Sequence, residues 1–153
     1  MPKDMPLMMD RDALNAFVQK VFPQVKDDFR VEHVAPWEIT MRLLVNERHL
    51  RPGGTVSGPA MFGLADVTVY LMTLALIGPK ALAVTTNSSL DFMRKPAAGA
   101  DLIARGRLLK LGKALAVGDV LLYSEGMEPP VARASMTYAL PPAGSAADGY
   151  SGD

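Results

Sequence analysis

The hydrophobic positions of this chain change period twice. Between residues 10 and 22, Leu14, Phe17, Val18 and Val21 recur at the i, i+3, i+4, i+7 spacing of an amphipathic helix, and Pro23 stops the run. Residues 37–45 alternate instead. Trp37, Ile39, Met41 and Leu43 fall on one side, with Glu38, Thr40 and Arg42 on the other, which predicts a half-buried strand. A glycine- and proline-rich connection at 51–59 then leads into a long apolar helix. Ser57 or Gly58 is its expected cap, Pro59 sits near its first position, and Gly78-Pro79 ends it.

After Lys80 the period becomes two. Four strands are expected, at 83–93, 101–111, 114–124 and 131–140, separated by turns at KPAAGA, LGK and EGMEPP. Joined by short turns, they predict an antiparallel meander. The apolar helix leaves almost no polar face, so one face of that sheet must bury it. The fold class is α+β: one domain over residues 1–140 with an N-terminal helix. The last thirteen residues, 141–153, are small and polar and read as a disordered tail.

Composition narrows the function. Sixteen basic residues balance sixteen acidic ones, so the chain lacks the basic footprint of a nucleic-acid binder. The absence of cysteine removes disulfides, thiolate metal ligands and cysteine nucleophiles, and two histidines leave little for a metal site. His33 and His49 read as surface or loop residues. The N-terminus has no apolar stretch before its first charges, so a cytoplasmic protein is expected. The run from Met61 to Ile77 approaches the roughly 20 residues a membrane span needs, but it contains Asp66 and lacks flanking basic clusters; a buried core helix is the expectation.

Asp66 is the focus of the chemistry. Between Arg51 and Lys80 no other side chain except Tyr70 is ionisable, and an unpaired carboxylate is costly to bury. Either the helix has a wet face or the acid has a task. The structural alternative is an acid bonded to Thr68, Tyr70 or the backbone.

The residues around it resemble a known family. Residues 57–59, Ser-Gly-Pro, precede Leu-Ala-Asp at 64–66 where the phenylacetate-pathway (PaaI-like) branch of the hotdog-fold acyl-CoA thioesterases shows His-Gly-Gly and Leu-Ala-Asp at the same spacing. LDFMRKP at 90–96, GADL at 99–102, Gly112-Lys113 and ARASMTY at 132–138 resemble its later strands and turns. The likeness covers about residues 36–140. Ser57, Pro59 and Arg51 stand where that branch has histidine, its second glycine and often asparagine.

The resemblance implies an antiparallel sheet wrapped around the central helix, and hydrolysis of an acyl-CoA thioester with no cofactor or metal, CoA being part of the substrate. It casts Asp66 as base or nucleophile and the Gly58 N–H as the group that polarises the carbonyl. General physics suits both, because a helix N-terminus carries unpaired donors and glycine allows close approach. Gly58 and Asp66 lie about 12 Å apart along one helix, too far to act on one carbonyl. If both act, they come from different chains of a homodimer or a dimer-of-dimers tetramer, with antiparallel helices at the interface.

Around that pair, Ser57 is an N-cap or a substrate contact, and no Ser/His/Asp pattern accompanies it. Asn87 shares a strand face with Ser89 and is a candidate for a carbonyl or water. Thr73, seven residues past Asp66, is a candidate assistant or a packing residue. Arg94, Lys95, Lys110 and Lys113 suit nucleotide phosphates, or are solvated strand ends. Met61, Met72, Met93 and Met136 fill the core or line an acyl pocket. Two rival readings are a non-catalytic acyl-CoA-binding or sensing protein and a hotdog hydratase or dehydratase; the latter chemistry normally adds a histidine after the helix, and none is present.

Overall fold

In the structure, a computed structural model describing residues 5–80 and 82–142, Asp10 caps the first helix, α1 (Arg11–Val21). Its carboxylate accepts the Ala13 N–H at 2.9 Å, and Leu14, Phe17 and Val18 are buried beneath. Two strands follow, β1 (Phe29–Ala35) and β2 (Glu38–Leu43), joined through Trp37, whose φ is +73°. The periodicity predicted only the second. A register shift between Val31 and His33 breaks the alternation of β1, which conceals it from a period-two reading. The central helix, α2 (Gly58–Ile77), starts where expected, with the Ser57 side chain accepting the Ala60 N–H.

The four C-terminal strands also form where their alternation places them: β3 (Val84–Phe92), β4 (Leu102–Leu111), β5 (Leu115–Ser124) and β6 (Ala132–Ala139). They are not one meander. The antiparallel sheet runs β1-β2-β4-β5-β6-β3, so only β4, β5 and β6 are consecutive neighbours. Both sides of β4 are occupied, Leu102 pairing with Leu43 of β2 and with Ser124 of β5. Residues 93–101 therefore carry the chain across the end of the sheet from β3 to β4. That crossing is pinned where the Val131 carbonyl accepts Met93 N–H at 2.8 Å, and where Ala97 N–H donates to Ser124 Oγ at 2.8 Å.

The inner face of the sheet carries Ile39, Met41, Leu43, Ala104, Val120 and Leu122, all buried against α2. Two glycines set the approach. A Cβ at Gly106 would stand 2.9 Å from the Thr68 side chain, and one at Gly118 would stand 3.0 Å from Met72, so side chains there would push the helix away. By length and hydropathy α2 passes as a membrane span, yet it is the core helix wrapped by the sheet.

The two edges of the sheet differ. On β1, the Asn15 amide from α1 both donates to the Val31 carbonyl (3.2 Å) and accepts the Val31 N–H (2.8 Å), capping that edge. On β3 every residue except Thr85 and Leu90 is exposed.

Candidate active site

Asp66 lies in the first half of α2, half-buried, and its partners come from the sheet rather than from Thr68 or Tyr70. Its Oδ1 accepts two hydrogen bonds, from Thr85 Oγ at 2.6 Å and from the Tyr138 hydroxyl at 2.8 Å. The same hydroxyl is 3.0 Å from the Asp66 main-chain carbonyl, so one O–H is shared between the two acceptors. Burial, and then the nearby Asp66 charge, push the Tyr138 phenol above its ordinary range, which keeps it a donor. Tyr138 is held in turn by Tyr70, whose ring centroid is 5.7 Å away. Oδ2 has no hydrogen-bond partner among the described residues. One carboxylate oxygen is thus fixed and the other is presented.

Gly58 is the first residue of α2, and its N–H, one of the donors a helix leaves unpaired, has no partner among the described residues. The Phe92 ring stands beside it, 3.5 Å from where a Cβ would be. Ser57 next to it is the N-cap. Its neighbour His49 is buried rather than exposed in its loop: Nδ1 accepts the Asn46 N–H at 3.0 Å, and Nε2 is 3.3 Å from buried Asp28. With both ring nitrogens engaged elsewhere, Ser57 and His49 do not make a nucleophile–base pair. His33 is exposed, as expected.

Other candidates separate from the pair. Thr73 is fully buried, its hydroxyl donating to the Val69 carbonyl at 2.8 Å, under the part of α2 that α1 covers. Asn87 lies on the outer face of the sheet, opposite Thr137. The irregularity between Thr85 and Asn87 shifts the parity by one residue, so Thr85 faces the helix while Asn87 and Ser89 turn away. Arg94 and Lys95 are exposed at the sheet end where α2 begins, with Arg94 donating to the Pro130 carbonyl at 2.7 Å. Lys110 and Lys113 stand at the opposite end, by the β4–β5 turn. Met61, Met72 and Met136 are core residues; Met93 is exposed beside Phe92.

A depression of about 520 Å³ on the outer sheet face is distinct from this site. Of its three arginines, Arg133 pairs with Asp91 at 2.7 Å, Arg107 lies in register with Asp119 and Glu38, and Arg105 stands over the Tyr123 ring, 5.1 Å from its centroid.

Thr85 and Tyr138 were not expected at the site. Their signal is a polar hydroxyl on an inward strand position, legible only once strand order and the β3 irregularity are known. A presented carboxylate and a helix-terminal N–H without a partner among the described residues thus lie on the same helix, eight residues apart.

Comparison with known proteins supplies the family. Residues 53–131 match the model of the thioesterase superfamily. A crystal structure of a provisionally named thioesterase from Silicibacter sp. is 64% identical, covering 90% of this chain and 96% of its own, with a TM-score of 0.85. The phenylacetic acid degradation protein PaaI from Thermus thermophilus is 30% identical over 78% of this chain and 99% of its own, with a TM-score of 0.67. A Streptococcus pneumoniae protein of 20% identity, described as a hypothetical thioesterase with coenzyme A, shares the fold over 85% of this chain and 98% of its own, with a TM-score of 0.72. A search of curated proteins finds no match. The chain belongs to the thioesterase superfamily and has its hotdog fold.

Proposed function

We propose that this protein is an acyl-CoA thioesterase whose active sites each combine Asp66 of one chain with Gly58 of another. The observation that carries the reading is the pairing on one helix of a half-satisfied carboxylate and an unpaired N–H, about 12 Å apart by helical rise and so unable to serve one carbonyl from a single chain. The Gly58 N–H takes the developing oxyanion. Asp66 Oδ2 either accepts a proton from the attacking water or attacks the carbonyl itself, and Thr85 and Tyr138 fix its orientation through Oδ1. Collapse of the tetrahedral intermediate breaks the C–S bond. CoA leaves as the thiolate or thiol, and water supplies the oxygen of the free acid.

Arg94 and Lys95, at the same sheet end as Gly58, are the cations placed to meet CoA phosphates. Lys113, at the far end of its own chain, is outside that group. Ser57 serves as the cap that aims the N-terminus.

The test is free-thiol release from a panel of acyl-CoAs by wild type and Asp66→Asn at matched oligomeric state. Turnover should fall about 10²- to 10⁴-fold while acyl-CoA binding persists. Tight binding without turnover in either protein would instead establish a binding protein on this scaffold.

A further inference from the structure

One buried polar pair takes no part in the chemistry above. Asp28 and His49 are only 4% and 8% exposed, and polar side chains that deep are costly unless they are bonded. His49 ends a single 3₁₀ turn, Glu47–His49, and both of its ring nitrogens are engaged. Nδ1 accepts the Asn46 N–H at 3.0 Å, which leaves the proton on Nε2, 3.3 Å from Asp28 Oδ2. Arg48 pairs with the other carboxylate oxygen. The Asp28 main chain is fixed in turn: its N–H donates to the Val25 carbonyl at 2.9 Å, and its own carbonyl accepts the Leu44 N–H at 2.8 Å. The imidazole therefore ties the loop after β2 to the segment just before β1.

What this loop carries is the start of α2. Residues 51–54 are exposed, and the chain turns there through Gly53 and Gly54 at φ +103° and +82°. Past the turn, the Ser57 N–H donates to the His49 carbonyl at 2.8 Å, beside a bridge between Leu50 and Val56. Ser57 is thus held twice, its N–H by His49 and its side chain by the Ala60 N–H at 3.2 Å. A peptide unit is planar, so the placement of Ser57 also sets where the Gly58 N–H points. We propose that the Asp28–His49 pair is a positioning device: it holds the His49 carbonyl against Ser57 and so aims the Gly58 N–H at the developing oxyanion. The inference rests on the reading that Gly58 polarises the thioester carbonyl. An oxyanion donor acts from about 2.7–3.1 Å, and only in the transition state, so slack in this loop costs rate rather than substrate affinity.

His49→Phe keeps the shape of the ring and removes both of its bonds, whereas His49→Gln keeps an amide N–H for Asp28 and removes only the acceptor for Asn46. Thiol release and acyl-CoA affinity would be measured on folded protein at matched oligomeric state. Each variant is compared in wild type and in Gly58→Pro, which lacks the N–H, with Asp66→Asn as the reference for lost chemistry. In wild type, His49→Phe should lower kcat by about 10²-fold with KM nearly unchanged, and His49→Gln by about tenfold. In Gly58→Pro the donor to be aimed is gone, so neither should lower the residual rate by more than about twofold. Should His49→Phe fail to fold, His49→Gln carries both comparisons. Full kcat in the His49 variants beside an inactive Asp66→Asn, or an equal loss with and without the Gly58 N–H, overturns the positioning role and leaves the thioesterase reading standing. Gly58→Pro at full rate, or acyl-CoA binding without turnover by wild type, overturns the inference together with the reading beneath it.

Discussion

The two halves of α2 are written in the same apolar alphabet but meet different neighbours. The second half is enclosed: Leu71, Leu74 and Leu76 are at most 2% exposed. There α1 closes the side away from the sheet, with the Phe17 ring tilted against Tyr70 at 6.3 Å between centroids. The first half has the sheet on one side and, among the described residues, an exposed or half-exposed stripe on the other, and it carries Asp66 and the helix N-terminus. Hydrophobicity records that a surface will be covered, and does not say by what. The enclosed half is a matter of folding; in the function proposed above, the open half is one of assembly and chemistry.

Gly63→Leu separates those roles most sharply. The isolated chain has room for the side chain, and leucine favours the helix, so the monomer should be at least as stable as wild type. The dimer should dissociate and thiol release should fall by about 10²-fold or more, as expected when a site loses half its groups. Sedimentation and turnover on the same sample read this. In the enclosed half, Leu71→Ala should do the reverse, costing about 2–5 kcal/mol in urea unfolding with little change in activity per folded dimer.

Tyr138→Phe probes the hinge between the halves. It removes the hydroxyl from Asp66 Oδ1 but keeps the ring on Tyr70, so stability should drop by about 1 kcal/mol. Turnover should fall about tenfold with KM little changed, since the bond orients the carboxylate rather than the substrate. The same residue gives a pH effect. Burial raises both the Tyr70 and Tyr138 phenols above their ordinary value of 10.0. In the unfolded chain these phenols ionise near 10 while the folded ones keep their protons. Stability is therefore full below that pH and declines as pH rises beyond it. Unfolding measured from pH 8 to 11 should show the decline, and Tyr138→Phe should make it shallower.

Most of the scaffold was legible in the sequence because it depends on local rules. Asp10, Ser57 and Gly78 mark helix ends where caps belong, and the alternation in β4, β5 and β6 sorts inner from outer residues with few errors. What was hidden depends on long-range pairing. Strand β1 escaped through its irregularity at Val31–His33. The place of β3 beside β6 follows from β2 already occupying β4, which no window of local sequence records. One extra residue at Thr86 turned Asn87 outward and brought Thr85 to the acid. Asp66 and Gly58 stand out by a different signal, a lone charge and a glycine at the start of an apolar helix, whereas Tyr138 lies 72 positions beyond the acid it holds. His49 likewise reads as a loop residue until Asp28 is seen to bury with it.

The central claim is that each site is shared between two chains, and mixing two inactive variants tests it directly. Asp66→Asn removes the carboxylate. Gly58→Pro removes the N–H at a first helical position, where proline is tolerated, after a Ser57 already extended at φ −76° and ψ 157°. Each should be dimeric and nearly inactive alone. Refolded together, a mixed dimer has one site with Gly58 from the first variant and Asp66 from the second. Random pairing of equal amounts should then restore about a quarter of wild-type thiol release, half the dimers having one of two sites intact. Mixed dimers that form and remain inactive would contradict the shared site.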